Sequence, residues 1–391
     1  MHVWEDNSKS LVRFENPRGD QYPMAYIIEN PLMVAAFLQK IDQMPNITVK
    51  TGTNVKSYRL SSDTSEKAEV LLEDGSVIST DLLIGADGMN SLVRKSMNVR
   101  SIGWKYQQKS IVANLTLKPV DNPDNDTAWQ KFLPTGSLAL LPVSRCCHLL
   151  FVFSFKFIII SLLLSKTMSS LSWACDNPFA DHLMGLPDKD FLDTVNDTLY
   201  NSTHQSSIIN CAVDLLDLVQ NKIFASPPVI IDVSKRFAIP LSLVHVTHYV
   251  VPRAVLIGDA AHRIHPLAGQ GVNAGYGDVA CLTETLENAV RCGSDIGSLS
   301  HLKHYETHRQ RKVVPLMFAC DWLYRLYGTS LFPVVLARSI GLTSVNNITP
   351  LKVCVECLYS RLIISKIFRN FLSKKLREKA LYIHDLRSLF C

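Results

Sequence analysis

The sequence predicts a mixed α/β fold, and two observations carry that expectation. Two separated segments, residues 81–94 and 254–290, each read as an apolar strand that ends on glycine and aspartate and passes into a helix. The stretch between them holds strand-like segments at 111–118, 136–143 and 169–174, the last with Leu171 and Trp173 alternating against polar neighbours. At 391 residues the chain is long enough for two domains with a real core, and 47% hydrophobic content is ordinary for a globular enzyme.

Residues 81–94 read DLLIGADGMNSLVR: a strand, the turn Gly85-Ala86-Asp87-Gly88, then a helix start with Asn90 or Ser91 as cap. Residues 254–275 read AVLIGDAAHRIHPLAGQGVNAG. The run 254–257 fits a buried parallel strand closed by Gly258 and Asp259, and a loop with Pro266, Gly269 and Gly271 follows. A helix over 272–290 is expected from the spacing of Val279, Leu282, Leu286 and Val290, with its end at Arg291-Cys292-Gly293. An acid at a strand end can accept hydrogen bonds from ligand hydroxyls. The glycines admit a flat ring to the backbone, and the helix start offers free N–H groups to an electron-rich group. A bare Gly-Asp would make only a turn; a pattern this long says more.

GDAAHxxxPxxGQGxNxG resembles the second flavin-contacting motif of the class A flavoprotein monooxygenases, and the 81–94 segment resembles their Asp-Gly motif. Segments 127–143 and 236–252 resemble the ubiquinone-biosynthesis branch of that family. The stretches MHVWEDNSKSLVRFE, MAYIIENPLMVAAFLQKI and DWLYRLYGTSLFPVVLARSIGLTSVNNITPLK resemble its mitochondrial member. The resemblance implies an FAD/NAD(P)-binding Rossmann-like domain, a β-sheet substrate domain and C-terminal helices. It implies that Asp259 holds the ribityl chain and that Gly269, Gln270, Gly271, Val272 and Asn273 lie along the isoalloxazine ring. It further implies that Gly258 and Pro266 belong to the cofactor-binding residues and that Asp87, Gly88 and Arg94 lie near the FAD diphosphate. A guanidinium such as Arg94 makes paired bonds to phosphate oxygens. His262 and His265 are read as partly buried, hydrogen-bonded and structural, with a proton-carrying role left open. No catalytic residue is assigned; Tyr249, Arg236 and His245 are candidates by position alone, with packing or salt-bridge roles favoured.

The implied reaction is hydroxylation of the aromatic ring of a polyprenyl-hydroxybenzoate intermediate by FAD and O2 in ubiquinone biosynthesis. Electrons would come from NAD(P)H or from ferredoxin and its reductase. Other ubiquinone-biosynthesis proteins are implied partners, and the location would be peripheral on the matrix face of the mitochondrial inner membrane. The expected division is a partial FAD-binding domain at 1–110, a substrate domain at 111–250 with an apolar insertion at 145–165, and a return to the FAD-binding domain at 251–310. A helical region at 311–352 and a divergent tail at 353–391 complete it.

The family opens with a strand, a Gly-x-Gly-x-x-Gly turn and a helix, and this sequence contains no such fingerprint. The expectation is an N-terminally truncated chain that lacks the first βαβ unit, exposes the apolar neighbours of the missing strand and binds FAD poorly or not at all. A catalytically inactive fragment, or a non-catalytic component of the biosynthetic complex, is therefore the alternative. The run RCCHLLFVFSFKFIIISLLLS at 145–165 interrupts an expected hairpin. Retained intron, a membrane-inserting loop and a buried insertion all stand open, though Lys156 and the short apolar length oppose a full span.

From Lys352 onward, nine Lys/Arg face three Asp/Glu, a net of +6 in a chain of +5, so the rest carries about −1. The basicity belongs to the tail and is no footprint for nucleic acid. As a helix that tail would be amphipathic and suit an anionic membrane surface; non-native coding or a frayed end reads equally well. Ten irregularly spaced cysteines form no paired metal pattern, since Cys354 and Cys357 stand alone. No secretory signal or Arg-rich presequence opens the sequence.

Overall fold

The computed structural model describes residues 1–15, 25, 27–60, 65–119, 125–145, 163–202, 204–216 and 226–352. The chain starts with strands β1 (His2–Glu5) and β2 (Leu11–Arg13), helix α1 (Asn30–Ile41) and a three-stranded meander, β3 (Val55–Arg59), β4 (Ala68–Leu72) and β5 (Val77–Thr80). Strand β6 (Leu83–Gly85) and helix α2 (Leu92–Ser96) follow. The middle comprises β7 (Ser101–Leu117), β8 (Trp129–Leu133), β9 (Gly136–Arg145) and β10 (Leu163–Asp176). Helices α3 (Asn177–Gly185), α4 (Asp188–Tyr200) and α5 (Ser207–Leu216) then lead to β11 (Ile230–Val233) and β12 (Phe237–Val246). The last part holds β13 (Val250–Val251), β14 (Ala254–Leu256), β15 (His262–Arg263), α6 (Gly271–Arg291), α7 (Leu299–Tyr327) and α8 (Phe332–Asn347).

Nine strands build one sheet in the order β15-β12-β7-β10-β9-β8-β1-β2, with β11 paired to β7. The expected hairpin exists: β9 and β10 pair antiparallel, with Leu171 opposite Leu140 and Ser169 opposite Pro142. The alternation of Leu171 and Trp173 puts both inward, where Leu115, Leu138 and Leu140 meet Leu183 of α3 and Phe191, Val195 and Leu199 of α4. Burying each such side chain contributes roughly 1.5–3 kcal/mol, so this layer anchors the middle of the chain. Residues 146–162 of the apolar insertion lie outside the described residues, as does the tail from 353; Arg145 and Leu163 at the insertion's margins pair with each other. Among the described residues no helix is long and apolar enough to cross a membrane.

Sheet membership does not follow the sequence boundary at residue 110. Strand β7 runs through it, and β1 joins the large sheet by parallel pairing with β8, His2 opposite Trp129. The reason is side-chain chemistry: Val3 and Val12 pack with Phe132 and Tyr327, and Glu5 is buried against α8.

A second, three-stranded sheet in the order β13-β14-β6 carries both glycine-aspartate turns. Strand β14 is completely buried, and its core joins Tyr249, Leu282, Leu302 and Tyr305 from the flanking segments and helices α6 and α7. Among the described residues strand β6 pairs with β14 alone, and its Ile84 is 44% exposed. Helix α1 buries no side chain, and Val34, Phe37 and Leu38 are exposed.

Glu5 and Arg338 form a buried ion pair at 2.8 Å, each side chain 1% exposed. Ser8 and Ser339 donate to the same carboxylate, and the Arg338 guanidinium also reaches the carbonyls of Leu326, Tyr327 and Thr329. Removing one partner of such a pair strands the other charge. Arg338→Ala is therefore expected to lower the unfolding free energy by about 3–5 kcal/mol in urea denaturation, and the double change Glu5→Leu with Arg338→Met by much less. Equal losses from the single and double variants would contradict this account.

Candidate flavin site

The two sequence motifs meet because their strands are neighbours. Strands β6 and β14 pair in parallel, Leu83 opposite Ala254 and Gly85 opposite Leu256, and the Ile257 amide donates to the Gly85 carbonyl at 3.0 Å. Both chains therefore leave the sheet at their carboxyl ends side by side, where parallel sheets present ligand crevices. Arg94 joins the two turns covalently distant in sequence: Nη1 donates to the Ala260 carbonyl at 3.0 Å and Nη2 to the Met89 carbonyl at 2.6 Å.

The first turn is mostly self-supporting. The Asp87 carboxylate accepts from the amides of Leu92 (2.7 Å) and Val93 (3.2 Å), and Ser91, not Asn90, caps α2 by accepting from the Arg94 amide at 2.9 Å. Such caps satisfy amides that have no intrahelical acceptor. Asp87 thus spends one oxygen on its own helix, and Gly88 turns with φ of 76° beside it. Arg94 uses two of its five N–H donors on carbonyls, which leaves donors for an anion.

The second turn is built differently. Gly258 adopts φ of 59°, a left-handed conformation costly for any residue with a Cβ, and a Cβ there would meet nothing within 4 Å. Asp259 follows it, exposed, with no hydrogen bond or ion pair among the described residues. Residues Pro266–Ala268 form a single 3-10 turn that ends at Gly269, φ 61°. Gln270 is buried: its amide donates to the Ala268 carbonyl at 2.9 Å and its carbonyl accepts from the Asn273 side chain at 3.0 Å. The exposed groups at this mouth are thus Asp259, Gly269, Val272 and Asn273, arranged around the start of α6, a helix of 21 residues. Bare glycine backbone, a free carboxylate and a long helix's first turn fit the flat ring and polyhydroxy chain of a flavin.

His262 and His265 are both 1% exposed, more deeply buried than the partly buried structural role read from the sequence. His265 Nδ1 accepts from the Leu267 amide at 3.2 Å, its Nε2 bonds the Gln108 side chain at 3.2 Å, and Tyr106 and Tyr324 enclose the ring. Gln130 adds a bond from β8 to the Leu267 carbonyl at 3.0 Å. Tyr249 is buried with its hydroxyl 3.3 Å from His245 Nδ1; burial raises the phenol and lowers the His245 imidazole. Arg236 lies over Phe191 and donates to the carbonyls of Leu183 and Leu186, a packing role.

Helix α6 departs from the sequence expectation in which face it buries. Leu282 is buried, but Val279 and Val290 are 47% and 66% exposed. The inner face instead carries Ala274, Gly277, Asp278, Cys281, Leu282 and Ala289. Small residues allow close approach to the Gly258 turn and α7, and an acid is tolerated because Gly258, His262 and Arg309 all donate to it. Sequence reasoning passed over Asp278; its only signal was a second Gly-Asp, Gly277-Asp278, inside a helical stretch.

The profile of the FAD binding domain matches residues 9–157 and 218–317. The chain is 38% identical over 367 residues to the mitochondrial ubiquinone biosynthesis monooxygenase COQ6 of Xenopus tropicalis, covering 90% of this chain and 74% of that protein. The Homo sapiens protein of the same name is 38% identical over 367 residues, at 90% and 73% coverage. Among solved structures, the fold resembles p-nitrophenol 4-monooxygenase PnpA from Pseudomonas putida (TM-score 0.61, 12% identity, 87% of this chain and 74% of that one). It also resembles pqsL, a probable FAD-dependent monooxygenase from Pseudomonas aeruginosa (TM-score 0.58, 18% identity, 87% and 80%).

Burial pushes the His265 imidazole down to about 4 from an ordinary 6.5. Because the folded value lies below the unfolded one, the neutral ring's contribution is complete above pH 6.5 and is lost as pH falls toward 4. Over that window the loss amounts to about 2–3 kcal/mol. Chemical denaturation of the wild type and His265→Gln is expected to show a stability gap that narrows on acidification; a gap independent of pH would contradict the assignment.

Proposed function

The chain belongs to the mitochondrial ubiquinone biosynthesis monooxygenase family, and on that premise we propose that it hydroxylates the aromatic ring of a polyprenyl-hydroxybenzoate intermediate with FAD and O2. One observation carries the reading: two acid-bearing turns emerge together from the adjacent parallel strands β6 and β14, beside the start of a long helix.

In this reading Asp259 accepts hydrogen bonds from the ribityl hydroxyls, since its carboxylate has no partner among the described residues. Gly269, Gly271, Val272 and Asn273 line the ring, and Gly258, Pro266 and Gln270 shape the turn behind them. The amides of the first turn of α6 face negative charge on the ring's N1–C2=O edge. Arg94 and the Gly88 backbone serve the diphosphate, and Asp87 serves indirectly by ordering α2. Bound FAD, once reduced by NAD(P)H or by ferredoxin, supplies the activation of O2. The protein's part is to hold the phenol against the ring and keep water out, with the large sheet as the substrate side. Residues 1–110 and 251–310 contribute to the FAD-binding part and 111–250 to the substrate part, with β1, β2 and the first half of β7 lending their strands to the large sheet. A polyprenyl tail partitions into lipid, so the enzyme works at the matrix face of the inner membrane beside other enzymes of the pathway.

Titration of FAD into the purified chain, followed by flavin fluorescence, is expected to show saturable binding that Asp259→Ala weakens about tenfold or more, equivalent to 1.4 kcal/mol. Expression in a strain that lacks its own ring hydroxylase is expected to restore ubiquinone, and Asp259→Ala to abolish the rescue. A chain that neither binds FAD nor restores ubiquinone would overturn the proposal.

A further inference from the structure

Asp278 is completely buried on α6, and both of its carboxylate oxygens are occupied. Oδ2 accepts from the Gly258 amide at 2.8 Å and lies 2.7 Å from His262 Nε2, while Oδ1 accepts from Arg309 Nε of α7 at 2.7 Å. Arg309 Nη2 also donates to the Ala274 carbonyl at 3.0 Å. Its guanidinium fills the space beside Gly277, where a Cβ would meet Nη2 at 2.7 Å. Gly275 brings the helix into van der Waals contact with the turn, its Cβ position 3.7 Å from the Gly258 Cα. Burial alone would raise the Asp278 carboxyl, but the His262 hydrogen bond, the His262 and Arg309 charges and the Gly258 amide hold it below the ordinary range.

None of this network reaches the open mouth, so Asp278 cannot itself touch a ligand there. Two of its partners nevertheless flank Asp259: Gly258 directly before it and His262 three residues after it. A buried carboxylate is expensive, and an apolar residue would pack at that helix position at lower cost. What the carboxylate adds is a fixed hold on one amide of the turn. Glu306 offers the contrast on α7: also buried, it accepts from the amides of Tyr249 (2.7 Å) and Val250 (3.2 Å), away from the glycine-aspartate turn.

We propose that Asp278 is a positioning residue for the flavin: by holding the Gly258 amide and His262 against α6, it fixes where Asp259 emerges, and Arg309 fixes Asp278 in turn. This rests on the reading of the mouth as the flavin site. It assigns α7 a role in the site without contact to the ligand, since Arg309 clamps Asp278 from behind.

The test uses the full chain with Asp278→Asn, the milder Arg309→Lys, and Glu306→Gln as a control of similar burial. FAD titration, the visible absorption of bound flavin, thermal unfolding, and hydrogen exchange of peptides covering the Gly258 turn are compared. Asp278→Asn and Arg309→Lys are expected to raise the Kd for FAD about tenfold or more, shift the flavin absorption and speed exchange in the turn, all measured on folded protein. Glu306→Gln is expected to lower the unfolding temperature and leave affinity and spectrum unchanged. If Glu306→Gln weakens FAD as much as Asp278→Asn, or if both site variants leave the spectrum and the turn's exchange unaltered, the proposal falls. If Asp278→Asn does not fold, Arg309→Lys decides by the same readouts. Wild-type chain that binds no FAD would refute the flavin reading, and exchange in the turn would still decide whether Asp278 positions it.

Discussion

The pairing of β6 with β14 is the constraint on which the site depends. It is only three residues long on each side, yet it joins segments about 170 residues apart and sets two glycine-aspartate turns edge to edge. Parallel pairing matters here because both strands then deliver their turns at the same end of the sheet. An antiparallel pair would send the two acids to opposite ends. The Arg94 guanidinium, bonded to a carbonyl in each turn, holds the pair together beyond the last ladder bond.

Around this pair the molecule uses buried charge as a positioning tool. Asp278 and Arg309 fix the turn after β14 to helices α6 and α7, while Glu306 ties α7 to the segment preceding β14. Glu5 and Arg338 do the same at the opposite margin, fastening the first strand to α8. Each of these carboxylates has at least two donors, as buried ions must to offset the loss of hydration. The cost of such pairs makes them poor sources of stability and good sources of register: an amide hydrogen-bonded to a fixed carboxylate cannot slide. His265, kept neutral among Tyr106 and Tyr324, performs the same service for the 3-10 turn leading to α6 without a charge.

Much of this was legible in the sequence, and for local reasons. The run 254–257 announced a strand because a segment buried on both faces needs apolar residues throughout, and β14 is fully buried. The hairpin of β9 and β10 was legible through Leu171 and Trp173, whose alternation survives the apolar insertion between the strands. The glycines at 258 and 269 marked turns, and both take positive φ. What sequence could not show was partnership across distance. The helix over 272–290 was legible, but not its buried face, because Asp278 looks like a solvent residue until Arg309, His262 and the Gly258 amide surround it. Likewise β1 reads as part of the FAD-binding segment, and the packing of Val3 and Val12 on Phe132 and Tyr327, with the burial of Glu5 against Arg338, explains why it joins the large sheet. Asp87 looked like a ligand group, whereas its nearest donors are the amides of its own helix.

A crystal structure of the full chain grown with FAD would test the central claim most directly. The account predicts the isoalloxazine ring against residues 269–273, with a ribityl hydroxyl within hydrogen-bond distance of the Asp259 carboxylate. Flavin density elsewhere on the molecule, with Asp259 left in solvent, would contradict it.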